Sequence, residues 1–306
     1  MFRTDDRYIN ILTIIEYLPV YRYHIRTRSH FFSMAHNIEE YFEFAKEMAN
    51  EAGKRVKTDF YKNKNILVKE NFADLVTETD KAVEDLIFGR IKEKYPTHKC
   101  IGEETVSASG HCELTDEPTW IVDPVDGTTN FVHGVPHTCI SIGLTINKQP
   151  VLGIVHAPIL GETFSAMKGH GAFCNETKLS VSTINELNRS VVILEGGTSR
   201  VPEILDTKIA NIKSVIGHCH GIRCYGSAAI NMCYVARGSH EAYVEHGIHV
   251  WDIAAAAVIV QEAGGVVCDP SGGELDLLNR RVLAACNKTL AGQLSAITTN
   301  IDMGRD

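Results

Sequence analysis

Trp120-Ile121-Val122-Asp123-Pro124-Val125-Asp126-Gly127-Thr128-Thr129-Asn130-Phe131 decides the reading of this 306-residue chain. A short apolar strand, Trp120-Ile121-Val122, delivers two carboxylates at a spacing of three. Pro124 is expected to fix a turn between them, and Gly127 permits close backbone approach. Two acids this near repel each other unless a cation lies between them. Clusters of Asp and Glu oxygens suit hard divalent ions, and Mg²⁺ keeps several waters while sharing the rest of its shell with substrate phosphate. The same letters are good turn chemistry for a solvated loop, and local sequence leaves both readings open.

More acids recur at the ends of apolar runs. Ile101-Gly102-Glu103-Glu104-Thr105 places two carboxylates after a short apolar segment, and Val250-Trp251-Asp252 sets one at the start of an Ala-rich helix. Asp252 also reads as a simple N-cap, worth about 1 kcal/mol. His133, His137, His246 and His249 lie near these stretches, but a hard cation prefers oxygen, so they are read as neighbours rather than ligands.

Composition removes several function classes. With 38 Asp+Glu against 30 Lys+Arg, a formal charge of −8, and no basic block, the chain offers nothing to a phosphate backbone, so no nucleic-acid partner is expected. No run of 18 apolar residues exists, so no membrane association is expected. The nine cysteines are odd in number and include no C-x-x-C pair, which favours reduced thiols and a cytoplasmic location. Cys219 and Cys224 stand near His218 and His220, yet no second ligand pair at finger spacing follows, so zinc is not the favoured metal. Residues 1–35 read as a poorly ordered, dispensable extension: Ile9 to Val20 is interrupted by Asn10, Thr13 and Glu16 and makes a poor signal-peptide core. Residues 36–306 show no linker and form one domain.

Periodicity along that domain alternates between helix and strand. Ile38, Phe42, Ala45, Ala49, Ala52 and Val56 mark an amphipathic helix, with Asn37 and Glu40 as its capping box. A short strand within 74–80 leads into a helix from Asp80 to Tyr95, stopped by Pro96. Residues 139–146 and 151–155 form a hairpin, and Gly169-His170-Gly171 reads as a turn rather than a nucleotide loop. Strands at 191–194, 266–268 and 282–285 alternate with helices at 227–236 and 252–263, giving a layered α+β fold with mixed sheets.

Asp123-Pro-Val-Asp126-Gly-Thr128-Thr129, with Gly102-Glu103-Glu104 and Trp251-Asp252, resembles the inositol monophosphatase family. The likeness runs through residues 74–80, Asn130-Phe131-Val132-His133, residues 171–175, Gly221-Ile222-Arg223, Gly226-Ser227-Ala228-Ala229 and Glu245 to Asp252, covering about residues 36–300 in order. It implies an αβαβα sandwich of the sugar-phosphatase type, a homodimer, and a lithium-sensitive phosphomonoesterase that uses two to three Mg²⁺ per subunit to hydrolyse myo-inositol monophosphates. Glu103, Asp123 and the Val125 carbonyl would hold the first metal, and Asp123, Asp126 and Asp252 the second. A third, weaker Mg²⁺ would lie near Glu103 and Asp80.

Glu103, Thr128 and Asp80 would serve the attacking water, Thr128 by positioning, because a threonine hydroxyl alone is too weak a base. Gly127 and Thr128 amides would cradle the phosphate. Glu103, Val125, Asp126, Gly226, Ser227, Ala228, Glu245 and Asp252 would border the substrate, with Ser227 where the family often has Thr. Lys69 is expected either at the phosphate mouth or in solvent. A related phosphatase acting on a nucleotide 3′-phosphate, an inositol polyphosphate or a sugar phosphate is the alternative within this chemistry. An inactive metal-dependent scaffold is the alternative outside it, opposed by the presence of every acid the mechanism needs.

Overall fold

The structure is a computed structural model that describes the backbone of residues 19–306 apart from Glu70, and side chains from Ile38 onward. Two units are delimited, one ending at Tyr41 and one spanning Phe42–Asp306. Residues 1–18 of the expected extension lie outside the described residues. Helix α1, Pro19–Phe60, contains Asn37 in its interior. The expected cap at Asn37 is therefore corrected: a residue within a helix has upstream carbonyls for the following amides and ends nothing.

In the second unit two sheets carry the fold. The larger one is ordered β3-β4-β5-β6-β7-β8-β9. It comprises β3 (Lys99–Gly102), β4 (Thr119–Asp126), β5 (Cys139–Ile146), β6 (Gln149–Ala157), β7 (Glu162–Met167), β8 (Ala172–Cys174) and β9 (Thr177–Lys178). β3 and β4 are parallel, and every later neighbour is antiparallel. The smaller sheet is ordered β11-β10-β12-β14-β13. Its strands are β10 (Val191–Leu194), β11 (Gly221–Arg223), β12 (Ala242–His246), β13 (Val266–Cys268) and β14 (Arg281–Ala285). Parallel β11-β10-β12 meets antiparallel β14 and β13, so both sheets are mixed. A separate hairpin pairs β1 (Ile66–Val68) with β2 (Leu75–Thr77).

Helix α2 (Glu78–Lys94) packs on β4, and α6 (Ala228–Ala236) and α7 (Val250–Glu262) pack on each other between the sheets. α5 (Pro202–Ile216) and α8 (Lys288–Ile297) cover the smaller sheet, with Val215, Leu290, Ala291 and Leu294 in one cluster with Val192, Val244 and Leu283. The layers therefore alternate helix and sheet as expected.

A seam of small residues sets the height of α7. Gly143 and Gly153 are cross-strand partners on β5 and β6. A Cβ at Gly153 would sit 2.1 Å from the Ala255 carbonyl oxygen, and one at Gly143 3.0 Å from Ala255 N. The Ala-rich sequence of α7 and this glycine pair are two halves of one contact, and Ser141 Oγ fixes it further by donating to the Trp251 carbonyl at 2.9 Å. The first turn of α7 is thereby held over the end of β4.

Candidate active site

Asp123 and Asp126 stand on one strand. The turn expected at Pro124 is corrected: β4 continues through Asp126, with a bulge between Asp123 and Asp126, so three steps on β4 oppose two on β5, from Ser141 to Cys139. In a regular strand, positions i and i+3 face opposite sides of the sheet. The extra residue of the bulge brings both carboxylates to the same side, and proline tolerates such an irregularity because it needs no ladder bond. Asp252 completes the group: its carboxylate oxygens and those of Asp123 and Asp126 approach within 4.8 Å of one another.

Each acid is anchored by backbone. Asp126 receives the start of α6, accepting Ala229 N–H at 2.8 Å, Ala228 N–H at 3.2 Å and the Ser227 hydroxyl at 2.6 Å. Three of its bonds, including one from the Cys139 thiol, go to Oδ2, while Oδ1 accepts from Ala228 alone. Oδ1 thus keeps a lone pair for a ligand. Asp123 Oδ1 accepts Val125 N–H at 2.9 Å, and Asp252 Oδ2 accepts His249 N–H at 2.7 Å.

These groups are costly to bury charged. Burial, followed by the charges of Glu103, Asp126 and Asp252, raises the Asp123 carboxyl far above its usual range. Burial and then Asp126 raise Asp252 likewise. Three buried carboxylates this close repel one another, a cost that a bound cation would offset. Buried, preorganised, all-oxygen donors fit a hard divalent cation. Among the described residues this is the one group of three acidic, His or Cys side chains gathered around a point.

Glu103 and Glu104 lie beside the triad at the start of α3 (Glu103–Ser109). The Lys69 ammonium is 2.7 Å from each. Its position is thereby settled as the counter-ion of these acids, and their charge raises its pKa despite burial. The α3 start depends on a residue the sequence reading missed, Glu84, which accepts Glu104 N–H at 2.9 Å and Thr105 N–H at 2.8 Å. Gly102 leaves room for this contact, because a Cβ would fall 2.4 Å from Glu84 Oε2 and displace that carboxylate.

Thr128 opens the short helix α4 (Thr128–His133) after Gly127, whose φ of 83° is in the left-handed region. A Cβ at Gly127 would also meet His137 O at 2.9 Å. The Thr128 hydroxyl lies 3.0 Å from the Val125 carbonyl and 3.3 Å from Asp80 Oδ1, and its one proton serves one of them at a time. Asp80 is locked by the α2 capping box, accepting Thr77 N–H at 3.0 Å. Burial, and less strongly the Glu104 charge, push its carboxyl up to about 6.

On the far side, Glu245 is buried on β12 and bonded to the Tyr243 hydroxyl. Burial and then the Glu195 charge raise its carboxyl. Glu195 was missed from sequence. It accepts Gly226 N–H at 2.8 Å, Tyr225 N–H at 2.7 Å and the Asn231 amide at 2.9 Å, tying the Gly226-Ser227-Ala228 segment to the end of β10. Its signal was available: Val-Val-Ile-Leu-Glu-Gly repeats the pattern of an acid closing an apolar strand. Of the four histidines, His137 stacks on Tyr225 at 5.0 Å and His246 bonds Asn300 at 2.9 Å. His249 caps α7.

The family model described as "Inositol monophosphatase family" matches residues 37–302. An inositol monophosphatase 1 of Bos taurus is 47% identical over 276 residues, covering 89% of this chain and 99% of that protein. An IMPase of Thermotoga maritima superposes with a TM-score of 0.75 at 33% identity, covering 84% of this chain and 96% of that one. SaIMPase-II bound to inositol monophosphate superposes with a TM-score of 0.69 at 30% identity, covering 83% of this chain and 92% of that one. The sequence motifs, the mixed layered fold and the converging acids agree with these matches, and the chain belongs to the inositol monophosphatase family.

Proposed function

We propose that this chain hydrolyses myo-inositol monophosphates to inositol and phosphate, as a Mg²⁺-dependent phosphoric monoester hydrolase using water rather than a covalent phosphoenzyme. The observation that carries the reading is the buried Asp123-Asp126-Asp252 triad beside the Thr128-Asp80 hydrogen bond. Two to three Mg²⁺ would be bound, the first by Glu103, Asp123 and the Val125 carbonyl and the second by Asp123, Asp126 and Asp252. Bound there, the ions supply positive charge for the phosphate and its leaving oxygen and lower the pKa of a coordinated water.

The chain's own residues do the positioning. The Thr128 hydroxyl can direct its proton to Asp80 rather than to the Val125 carbonyl, so that its oxygen would accept from the attacking water while the Asp80 carboxylate would take up the Thr128 proton. Glu103 helps orient the same water, and the Gly127 and Thr128 amides face the phosphate. Glu245, Asp252 and the Gly226-Ser227-Ala228 segment border the inositol ring, with Ser227 also fixing Asp126 through its hydroxyl.

A homodimer and a cytoplasmic location are part of the same reading. The location is supported by nine free cysteines, and among the described residues no helix is long and apolar enough to cross a membrane. The test is phosphate release from inositol 1-phosphate, adenosine 3′,5′-bisphosphate and fructose 1,6-bisphosphate at equal concentration, in Mg²⁺ and in EDTA. Preference for inositol 1-phosphate that vanishes in EDTA supports the reading. Preference for either other ester moves the assignment to that substrate class.

A further inference from the structure

The last described residue returns to the site from behind. Asp306 has a side chain only 3% exposed, and both of its carboxylate oxygens are used at the start of α7. Oδ2 accepts Val250 N–H at 2.8 Å, and Oδ1 meets His249 Nδ1 at 2.5 Å. Arg280 Nη2 stands 3.0 Å from His249 Nε2. A guanidinium only donates, so Nε2 is the acceptor and the ring proton sits on Nδ1, directed at Asp306. The ring lies flat on Trp251, centroids 4.5 Å apart and planes 6° from parallel. Arg280 itself has φ 48°, a left-handed conformation that non-glycine residues adopt only where surrounding contacts hold it. Its carbonyl accepts Gly247 N–H at 2.7 Å and its side chain reaches the Met303 carbonyl at 3.2 Å.

The contacts of Asp306 with Val250 and His249, of Arg280 with His249, and of His249 with Trp251 converge on the first turn of α7. His249 closes that turn by giving its N–H to Asp252, the acid that completes the triad. The His249 side chain is therefore not a ligand but a strut between Asp306 and Trp251.

We propose that Asp306 is a positioning residue for the metal site: through Val250 N–H and the His249 ring it holds the first turn of α7, so that the Asp252 carboxylate faces Asp123 and Asp126. The inference rests on the triad being the catalytic metal site. Partners that orient metal ligands typically change metal affinity by about 10–100-fold when removed.

Mn²⁺ binding, read from the free-ion electron paramagnetic resonance signal, tests this on the full chain. Asp306→Ala raises the Mn²⁺ Kd about tenfold, while kcat at saturating Mg²⁺ stays within about threefold of the parent. Asp306→Asn keeps an acceptor for Val250 N–H and falls between the two. Asp302→Asn removes an exposed charge from the same segment while keeping an acceptor for Gly304 N–H, now 3.0 Å from Asp302 Oδ1, and leaves Kd unchanged, which separates position from long-range charge. A lowered Tm in EDTA with unchanged Mn²⁺ affinity for Asp306→Ala makes the residue merely structural and overturns the proposal. Equal losses in Asp302→Asn and Asp306→Ala overturn it too. Failure of the parent chain to bind Mn²⁺, or binding by Asp252→Asn as tight as the parent's, overturns the metal-site reading itself and this inference with it.

Discussion

Replacing Asp123 by Asn removes the acid assigned to both metals while keeping its shape, and the metal-free protein should become more stable. Asp123 is 2% exposed, and burial and neighbouring charges hold its carboxyl well above the ordinary range. In the metal-free folded protein this carboxyl holds its proton to higher pH than it does in the unfolded chain, where its pKa is about 3.9. Each unit by which folding raises that pKa costs about 1.36 kcal/mol of stability once the pH exceeds the folded value. Asparagine has no such cost, and its Oδ1 can still accept Val125 N–H.

Allowing for imperfect fit, a gain of about 2 kcal/mol is expected, and at about 2–4 °C per kcal/mol for a domain of this size the Tm rises by about 4–8 °C. A raised carboxyl pKa stabilises the fold below the unfolded value and loses that contribution as pH rises through the folded one. The gap between variant and parent should therefore be near zero at pH 4.5 and widest at pH 7.5. Thermal melts in EDTA at pH 4.5, 6.0 and 7.5 measure it, and excess Mg²⁺ should reverse the order. Turnover should fall on the order of a thousandfold, about 4 kcal/mol of lost transition-state stabilisation. A variant that melts below the parent in EDTA at pH 7.5, or a gap indifferent to pH, refutes the reasoning.

Thr128→Ala should lower kcat by about a hundredfold with KM little changed, and Thr128→Ser should recover most of it, as steady-state kinetics will show. Glu103→Gln should reduce turnover more than inhibition by inorganic phosphate; equal losses in both would speak against a role in orienting water. Ser227→Ala removes the α6 cap, in which Ser227 Oγ accepts Ile230 N–H at 3.3 Å, together with one bond to Asp126. Denaturant melts should show a loss of about 1 kcal/mol, alongside weaker Mg²⁺ activation. Gly153→Ala should destabilise by about 3 kcal/mol in the same melts, because the new methyl meets the Ala255 backbone and α7 must rise off the sheet.

Much of this arrangement was legible where local chemistry decides it. The strand delivering Asp123, the helices α2, α6 and α7, and the hairpin at Asn147-Lys148, both at positive φ, follow from period and turn residues. The bulge did not: Asp-Pro-x-Asp-Gly looks like a turn, and only pairing with β5 shows that the strand continues. Asn37 misled because a good capping residue says nothing about helix that precedes it. Glu84, Glu195 and Asp306 act on residues distant in sequence, 31 positions away for Glu195 and Gly226 and 56 for Asp306 and Val250. No window of sequence contains both partners. The convergence of Asp123, Asp126 and Asp252 was therefore readable from their motifs, while the groups that aim them were not.

The central claim is that one divalent cation is shared by Asp123, Asp126 and Asp252. Anomalous diffraction from crystals grown with Mn²⁺ tests it most directly. The account predicts a peak within about 2.0–2.3 Å of an oxygen from each of the three. A fully loaded crystal with no peak among them, the ion being bound elsewhere, contradicts it.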